Sequence, residues 1–181
     1  NVANISVLAH HSKLFALWEA GSPYEMDKDS LATVGEHSFS EPTEGIPFSA
    51  HPRVEADGTL WNFGYASAVK KLVLWHMNSA GEVVKTGLVN CDPISMVHDF
   101  VVTRRHLVIL VCPLHYNSEK EADTFLDTHD WHADKATQVL VVDKNDFSKV
   151  QRLELPAQWI FHFSNAWEDN SGVFALKLRA A

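Results

Sequence analysis

Short strand-forming runs, each closed off by a turn signal, follow one another along almost the whole chain. The runs "ISVLAH", "KLFALWE", "LWNFGYA", "KLVLWHM", "EVVKTGLV", "DFVVT", "HLVILVC", "QVLVVD" and "VFALKL" are punctuated by "DG", "AG", "KND" and "EDNSG". Runs of this length, rich in Val, Leu, Phe and Trp and bounded by Gly, Asn and Asp, predict an all-β fold. No stretch carries the 3.6-residue apolar period of an amphipathic helix. Residues 118–137, "SEKEADTFLDTHDWHADKAT", read as a polar excursion with one helical turn at most. No linker or low-complexity tract divides the chain, so residues 1–181 are expected to form one, incomplete, β-propeller domain.

The propeller expectation comes from a weak internal repeat. "HPRVEADGTLWNFGY", "HDFVVTRRHLVILVC" and "HFSNAWEDNSGVFALKL" each open on a histidine, run a short strand, turn on polar residues and return along a second strand. The three histidines, His51, His98 and His162, are 47 and 64 residues apart. Antiparallel units of about 40 to 50 residues are the signature of propeller blades, and the polar excursion accounts for the wider gap. With each histidine on the innermost strand of its blade, the three side chains point at a common axis. Imidazoles converging from separate strands suit Zn, Cu, Fe or Ni rather than Ca or Mg. Asp99 follows His98 directly, and neighbouring strand side chains face opposite ways, so it is not expected to share the metal.

Composition narrows the partners. The 46% hydrophobic content supports a substantial core, and a net charge of -8 with no basic stripe among the aromatics argues against nucleic acid. Cys91 and Cys112 are the only cysteines, too few for a disulfide scaffold, which favours a reducing compartment. The first residues show no basic and then apolar leader, and no run approaches 18 apolar residues, so a cytoplasmic chain, soluble or peripherally membrane-associated, is expected. A start without Met and an end just after a strand-like run suggest a piece of something longer.

Four motifs in order, "LFALWEAGSPYEMD", "FSAHPRVEADGTLWNFGY", "MVHDFVVT" and "FHFSNAWED", resemble the carotenoid cleavage oxygenases, a family that also contains stilbene-cleaving dioxygenases and the retinal-pigment-epithelium isomerase. The resemblance implies a seven-bladed propeller with a non-haem Fe(2+) on its axis, held by four histidines and no carboxylate. It assigns ligand roles to His51, His98 and His162, and makes Glu19 a hydrogen-bond acceptor for a ligand histidine. A contact of that kind fixes ring tautomer and orientation. The family's fourth histidine has no counterpart after residue 162, so activity is expected of the complete parent rather than of this segment.

The implied reaction is O2-dependent cleavage of a conjugated carbon-carbon double bond in a carotenoid or apocarotenoid, giving carbonyl products. A stilbenoid of the lignostilbene type is the alternative substrate, since the motifs report the metal site and not the tunnel. Isomerohydrolase chemistry on a retinyl ester is a further alternative, and a propeller serving as a binding module is the alternative outside catalysis. The remaining histidines match no motif. His10, His11, His37, His76, His106 and His115 are expected at the surface or in loops, and His129 and His132 in a solvated loop. Glu168 is expected to make a fold-supporting hydrogen bond.

Overall fold

The structure, a computed structural model, describes residues 3–179 other than Ala20, Ser67, Ala68, Ile94, Ser118, Ala122, Phe125, Gly172 and Val173. Ala20 of the first motif therefore lies outside the described residues. The chain divides into two compact units, Asn1–Val89 and Asn90–Ala181.

The first unit holds two four-stranded antiparallel sheets. One is made by β1 (Ser6–His10), β2 (Lys13–Leu17), β3 (Tyr24–Met26) and β4 (Thr33–Glu36), in that spatial order. The other is made by β5 (Arg53–Val54), β6 (Leu60–Ala66), β7 (Lys71–Met77) and β8 (Val83–Asn90). Each is a meander of sequence neighbours, the arrangement of a propeller blade. β6 and β7 read as apolar runs rather than alternating patterns because both of their faces are covered, with Leu60, Phe63, Leu72, Leu74 and Met77 fully buried. Leu8, Phe15 and Leu17 of one sheet pack with Leu60, Val73, Trp75 and Met77 of the other and with Phe48 from the segment that leads into β5. Each such side chain removed from water contributes about 1.5 to 3 kcal/mol.

The second unit repeats the pattern. β9 (Val101–Val102), β10 (His106–Val111), β13 (Thr137–Asp143) and β14 (Val150–Leu155) form a third four-stranded meander, and β15 (His162–Glu168) pairs with β16 (Phe174–Arg179). Its core joins Val101, Val108, Leu110, Val139 and Val141 to Phe163. The polar excursion departs from expectation. Its one helical turn is a 3-10 turn at Leu126–Thr128, and the residues immediately after that turn form strand β12 (His129–Trp131), paired with β11 (Leu114–Tyr116). Backbone pairing, with Asn117 N–H bonding to the Thr128 carbonyl beside it, supplies the order that the apolar pattern does not.

Candidate metal centre

The segment leading into β9 is buried although it joins no long ladder. Ser95, Met96, Val97, His98, Asp99 and Phe100 are each no more than 8% exposed. Buried backbone and hydroxyl groups need partners, and they find them: the Ser95 hydroxyl donates to the carbonyls of Cys112 and Leu114, and the Met96 N–H reaches the Leu114 carbonyl. This anchoring brings the His98 ring to the start of β15. His98 Nε2 lies 3.2 Å from Nε2 of His162, the first residue of that strand. Two ligands bound at about 2.1 Å to one ion stand about 3.2 Å apart when they subtend about 100°. The pair is therefore spaced as two neighbouring ligands of one cation, and its imidazole chemistry fits a borderline transition metal such as iron.

Phe161 completes the local arrangement. Its ring stacks on His98 with centroids 3.9 Å apart and planes 21° from parallel, and it meets His162 edge-on at 4.9 Å. One aromatic side chain thus limits the rotation of both imidazoles. Asp99 uses its carboxylate on backbone: one oxygen accepts the Phe100 N–H at 2.8 Å and the other the Phe163 N–H at 2.9 Å. Sequence reasoning missed both roles. The signal for Asp99 was present, because a carboxylate in an apolar run must meet buried donors.

In the first unit, His51 ends a segment held tightly against β6. The Ser49 N–H donates to the Phe63 carbonyl at 2.7 Å, Asn62 Nδ2 to the Ser49 carbonyl at 2.9 Å, and the His51 N–H to the Ser49 hydroxyl at 3.2 Å. Ser6 donates to the Ala50 carbonyl from β1. His51 thus precedes β5 as His98 precedes β9, and His162 opens β15: each stands at the head of the first strand of its sheet. Glu19, just after β2, is 9% exposed. Its charge reaches Tyr65 on β6: burial, and then the Glu19 carboxylate, push that phenol above its ordinary pKa. Among the described residues the buried Tyr65 hydroxyl has no hydrogen-bond partner.

Glu168, at the far end of β15 from His162, makes the fold-supporting bonds expected of it, and more of them. Its carboxylate accepts from the Thr103 hydroxyl, from Arg105 Nε at 2.6 Å and from His106 Nδ1 at 2.9 Å, with no side-chain surface exposed. Burial opposes its ionisation, yet the Thr103, His106 and Arg105 hydrogen bonds outweigh it and bring the carboxyl down to about 2. These contacts tie β15 to the turn between β9 and β10.

The other histidines are less exposed than expected. His10 lies in β1 at 8% exposure with Nε2 3.1 Å from the Gly58 carbonyl, and His76 in β7 stacks on Trp61 at 4.1 Å. His37 packs against Phe15 at 4.8 Å, His106 lies in β10, and His115 lies in β11 with its ring 4.6 Å from His132. His11, exposed in the turn after β1, and His37, in the loop after β4, meet the expectation of surface or loop positions. His129 is 7% exposed in β12 against Tyr116, so His129 and His132 are three apart on extended chain rather than on a helical turn. Histidine serves here mostly as a flat, half-polar packing group, which position in the chain does not reveal.

The retinal pigment epithelial membrane protein family model matches residues 1–179. The chain belongs to this family, that of the carotenoid cleavage oxygenases. It is 30% identical over 183 residues to carotenoid 9,10(9',10')-cleavage dioxygenase 1 of Phaseolus vulgaris, covering 97% of this chain and 33% of that one. It is 28% identical over 178 residues to isoeugenol monooxygenase of Pseudomonas nitroreducens, covering 96% and 37%. Among solved structures, the lignostilbene dioxygenase of Pseudomonas brassicacearum superposes with a TM-score of 0.84 at 28% identity, over 94% of this chain and 36% of that one. Cobalt-substituted Synechocystis apocarotenoid oxygenase gives 0.83 at 26% identity, over 94% and 38%. The chain is thus all-β with the fold of part of these propeller enzymes, and spans about a third of the length of the relatives it matches.

Proposed function

We propose that residues 1–181 form part of the propeller domain of a non-haem Fe(2+) dioxygenase, with His51 joining His98 and His162 as ligands. The observation that carries this reading is the opposed pair of imidazole nitrogens, 3.2 Å apart at the heads of β9 and β15. The matching placement of His51 ahead of β5 and the family motifs support the third ligand. Ferrous iron, when bound, supplies the O2 activation needed to cleave a conjugated carbon-carbon double bond into two carbonyls. The chain's own residues orient: Phe161 fixes the faces of His98 and His162, and Glu19 is assigned to accept a hydrogen bond from the non-ligating nitrogen of a ligand ring, with His98 the first choice.

The first substrate choice is a carotenoid or apocarotenoid, as in the names of the Phaseolus and Synechocystis relatives. A phenylpropanoid or stilbenoid substrate is the second reading, favoured by the names isoeugenol monooxygenase and lignostilbene dioxygenase. Either is an apolar conjugated molecule, and a reducing, cytoplasmic setting with peripheral membrane contact would suit its delivery. Among the described residues, no helix is long and apolar enough to cross a membrane, and both cysteines are free and buried.

The test uses the full-length protein that carries this segment. Iron-loaded enzyme is mixed anaerobically with an apocarotenoid or a stilbenoid, O2 is admitted, and gas uptake is followed together with carbonyl products. One O2 should disappear per double bond cleaved, without added reductant. His51→Ala, His98→Ala and His162→Ala should each lose iron, whereas His129→Ala, in β12 and outside the family motifs, should keep it. Cleavage without O2 uptake, or full iron retention in all three alanine variants, would overturn the reading.

A further inference from the structure

We infer that Asp99 is a positioning residue that sets the spacing of His98 and His162. The inference rests on the proposal that these two histidines hold the iron. Asp99 is the chain neighbour of His98, and its carboxylate bridges backbone on both sides of the site. One oxygen accepts the N–H of Phe100, two residues past His98, at 2.8 Å. The other accepts the N–H of Phe163, the residue after His162, at 2.9 Å. A single side chain, 4% exposed, therefore couples two backbone segments 64 residues apart in sequence, at the positions that flank the two ligands.

Regular sheet pairing cannot supply this coupling. β9 is only two residues long and is laddered to β10, with Leu107 opposite Val102 and Val108 opposite Val101. β15 in turn pairs with β16. Packing of Val101 against Phe163 holds the segments together in a general way, but apolar contact is non-directional and leaves the distance between the two Nε2 atoms loosely set. Charge-assisted hydrogen bonds are shorter, directional and about twice as strong as neutral ones. A carboxylate whose two oxygens point along the chain at one N–H and across it at another acts as a rigid spacer. It also explains an acid in an apolar stretch, because its two acceptor oxygens meet buried backbone donors.

Asparagine at this position tests the idea. It keeps the shape and one acceptor oxygen, but places an amide NH2 where the second backbone N–H requires an acceptor, so one of the two bridges fails. The probe is cobalt(II) alone, titrated into metal-free full-length protein, with its visible ligand-field spectrum recorded as a measure of coordination geometry. Asp99→Asn should bind cobalt about 10 to 100-fold more weakly than the unaltered protein, the scale of losing a partner that orients a ligand. Its spectrum should change in band position and intensity, while far-ultraviolet circular dichroism stays the same. A folded Asp99→Asn protein with unchanged affinity and spectrum would overturn the inference.

His98→Ala in the same titration separates this from the underlying ligand assignment. Retained tight binding in that variant would count against the metal site itself, whatever Asp99 does. Should Asp99→Asn fail to fold, hydrogen exchange on the unaltered protein decides. A spacer built before metal arrives keeps the Phe163 amide protected in both metal-free and metal-loaded protein, and rapid exchange of that amide in the metal-free form would overturn the inference.

Discussion

Replacing Gly64 by alanine should damage the first unit far more than the loss of a hydrogen atom suggests. Gly64 sits in β6 under the segment that carries His51. A Cβ there would lie 2.0 Å from the Pro47 carbonyl oxygen and 2.5 Å from its carbon. Ordinary carbon-oxygen contacts fall near about 3.3 Å, so the Pro47 backbone must retreat by about 1.3 Å. That carbonyl accepts from Trp75 Nε1 at 3.1 Å, and the next residues are Phe48, 1% exposed, and Ser49, bonded to Phe63 and Asn62. Overpacking of this kind costs about 1 to 3 kcal/mol, and loss of a buried hydrogen bond about 1 more, for a total of about 2 to 4 kcal/mol. Gly35 in β4 is the matched control: nothing stands within 4 Å of its would-be Cβ, and Gly35→Ala should change stability by less than about 0.5 kcal/mol. Urea unfolding of the full-length protein, followed by tryptophan fluorescence, compares the two midpoints at equal slope. Iron occupancy should also fall in Gly64→Ala, because its displaced segment ends at His51. Equal midpoints for the two variants would refute the argument.

Two further perturbations concern groups whose ionisation the fold has shifted. Glu168 ionises near 2 rather than 4.5, so its hydrogen bonds stabilise the fold fully above about 4.5, and that contribution is lost as pH falls through about 2. The full shift corresponds to roughly 3 kcal/mol, reduced to about 1 to 2 by solvent around the partly exposed Arg105, so Glu168→Gln should cost that much at pH 7. The stability gap between the two proteins should narrow between about pH 4.5 and 3 in urea titrations, and a constant gap would show that the charge contributes nothing. Burial pushes the Cys91 thiol up to about 11. Folded protein should therefore react with iodoacetamide at about pH 7.5 about 100-fold more slowly than urea-unfolded protein, and equal rates would contradict the buried placement.

Much of this molecule could be read from residue order because central strands announce themselves. "LWNFGYA" and "KLVLWHM" coincide with β6 and β7, since strands covered on both faces run nearly continuously apolar. The strands that were not legible, β3, β4, β11, β12 and β14, are outer or short, with exposed and polar positions. Their identity comes from backbone pairing, which any sequence can make once a neighbour is in place. The repeat beginning at each of three histidines was legible for a related reason: a strand, a polar turn and a return strand leave a local pattern.

Residue order alone determined the all-β class, the blade-like repeat, the family and the candidate ligands, all of which live in local patterns or in motifs. Only the tertiary structure decided the 3.2 Å approach of His98 to His162, the stacking of Phe161 on His98, the bridge from Asp99 to the Phe163 N–H, and the ring of donors around Glu168. Each of these joins groups far apart in sequence, between 62 and 65 residues for the hydrogen bonds. Distances between such groups depend on packing and on which buried acceptor meets which donor, and neither quantity is local to the chain.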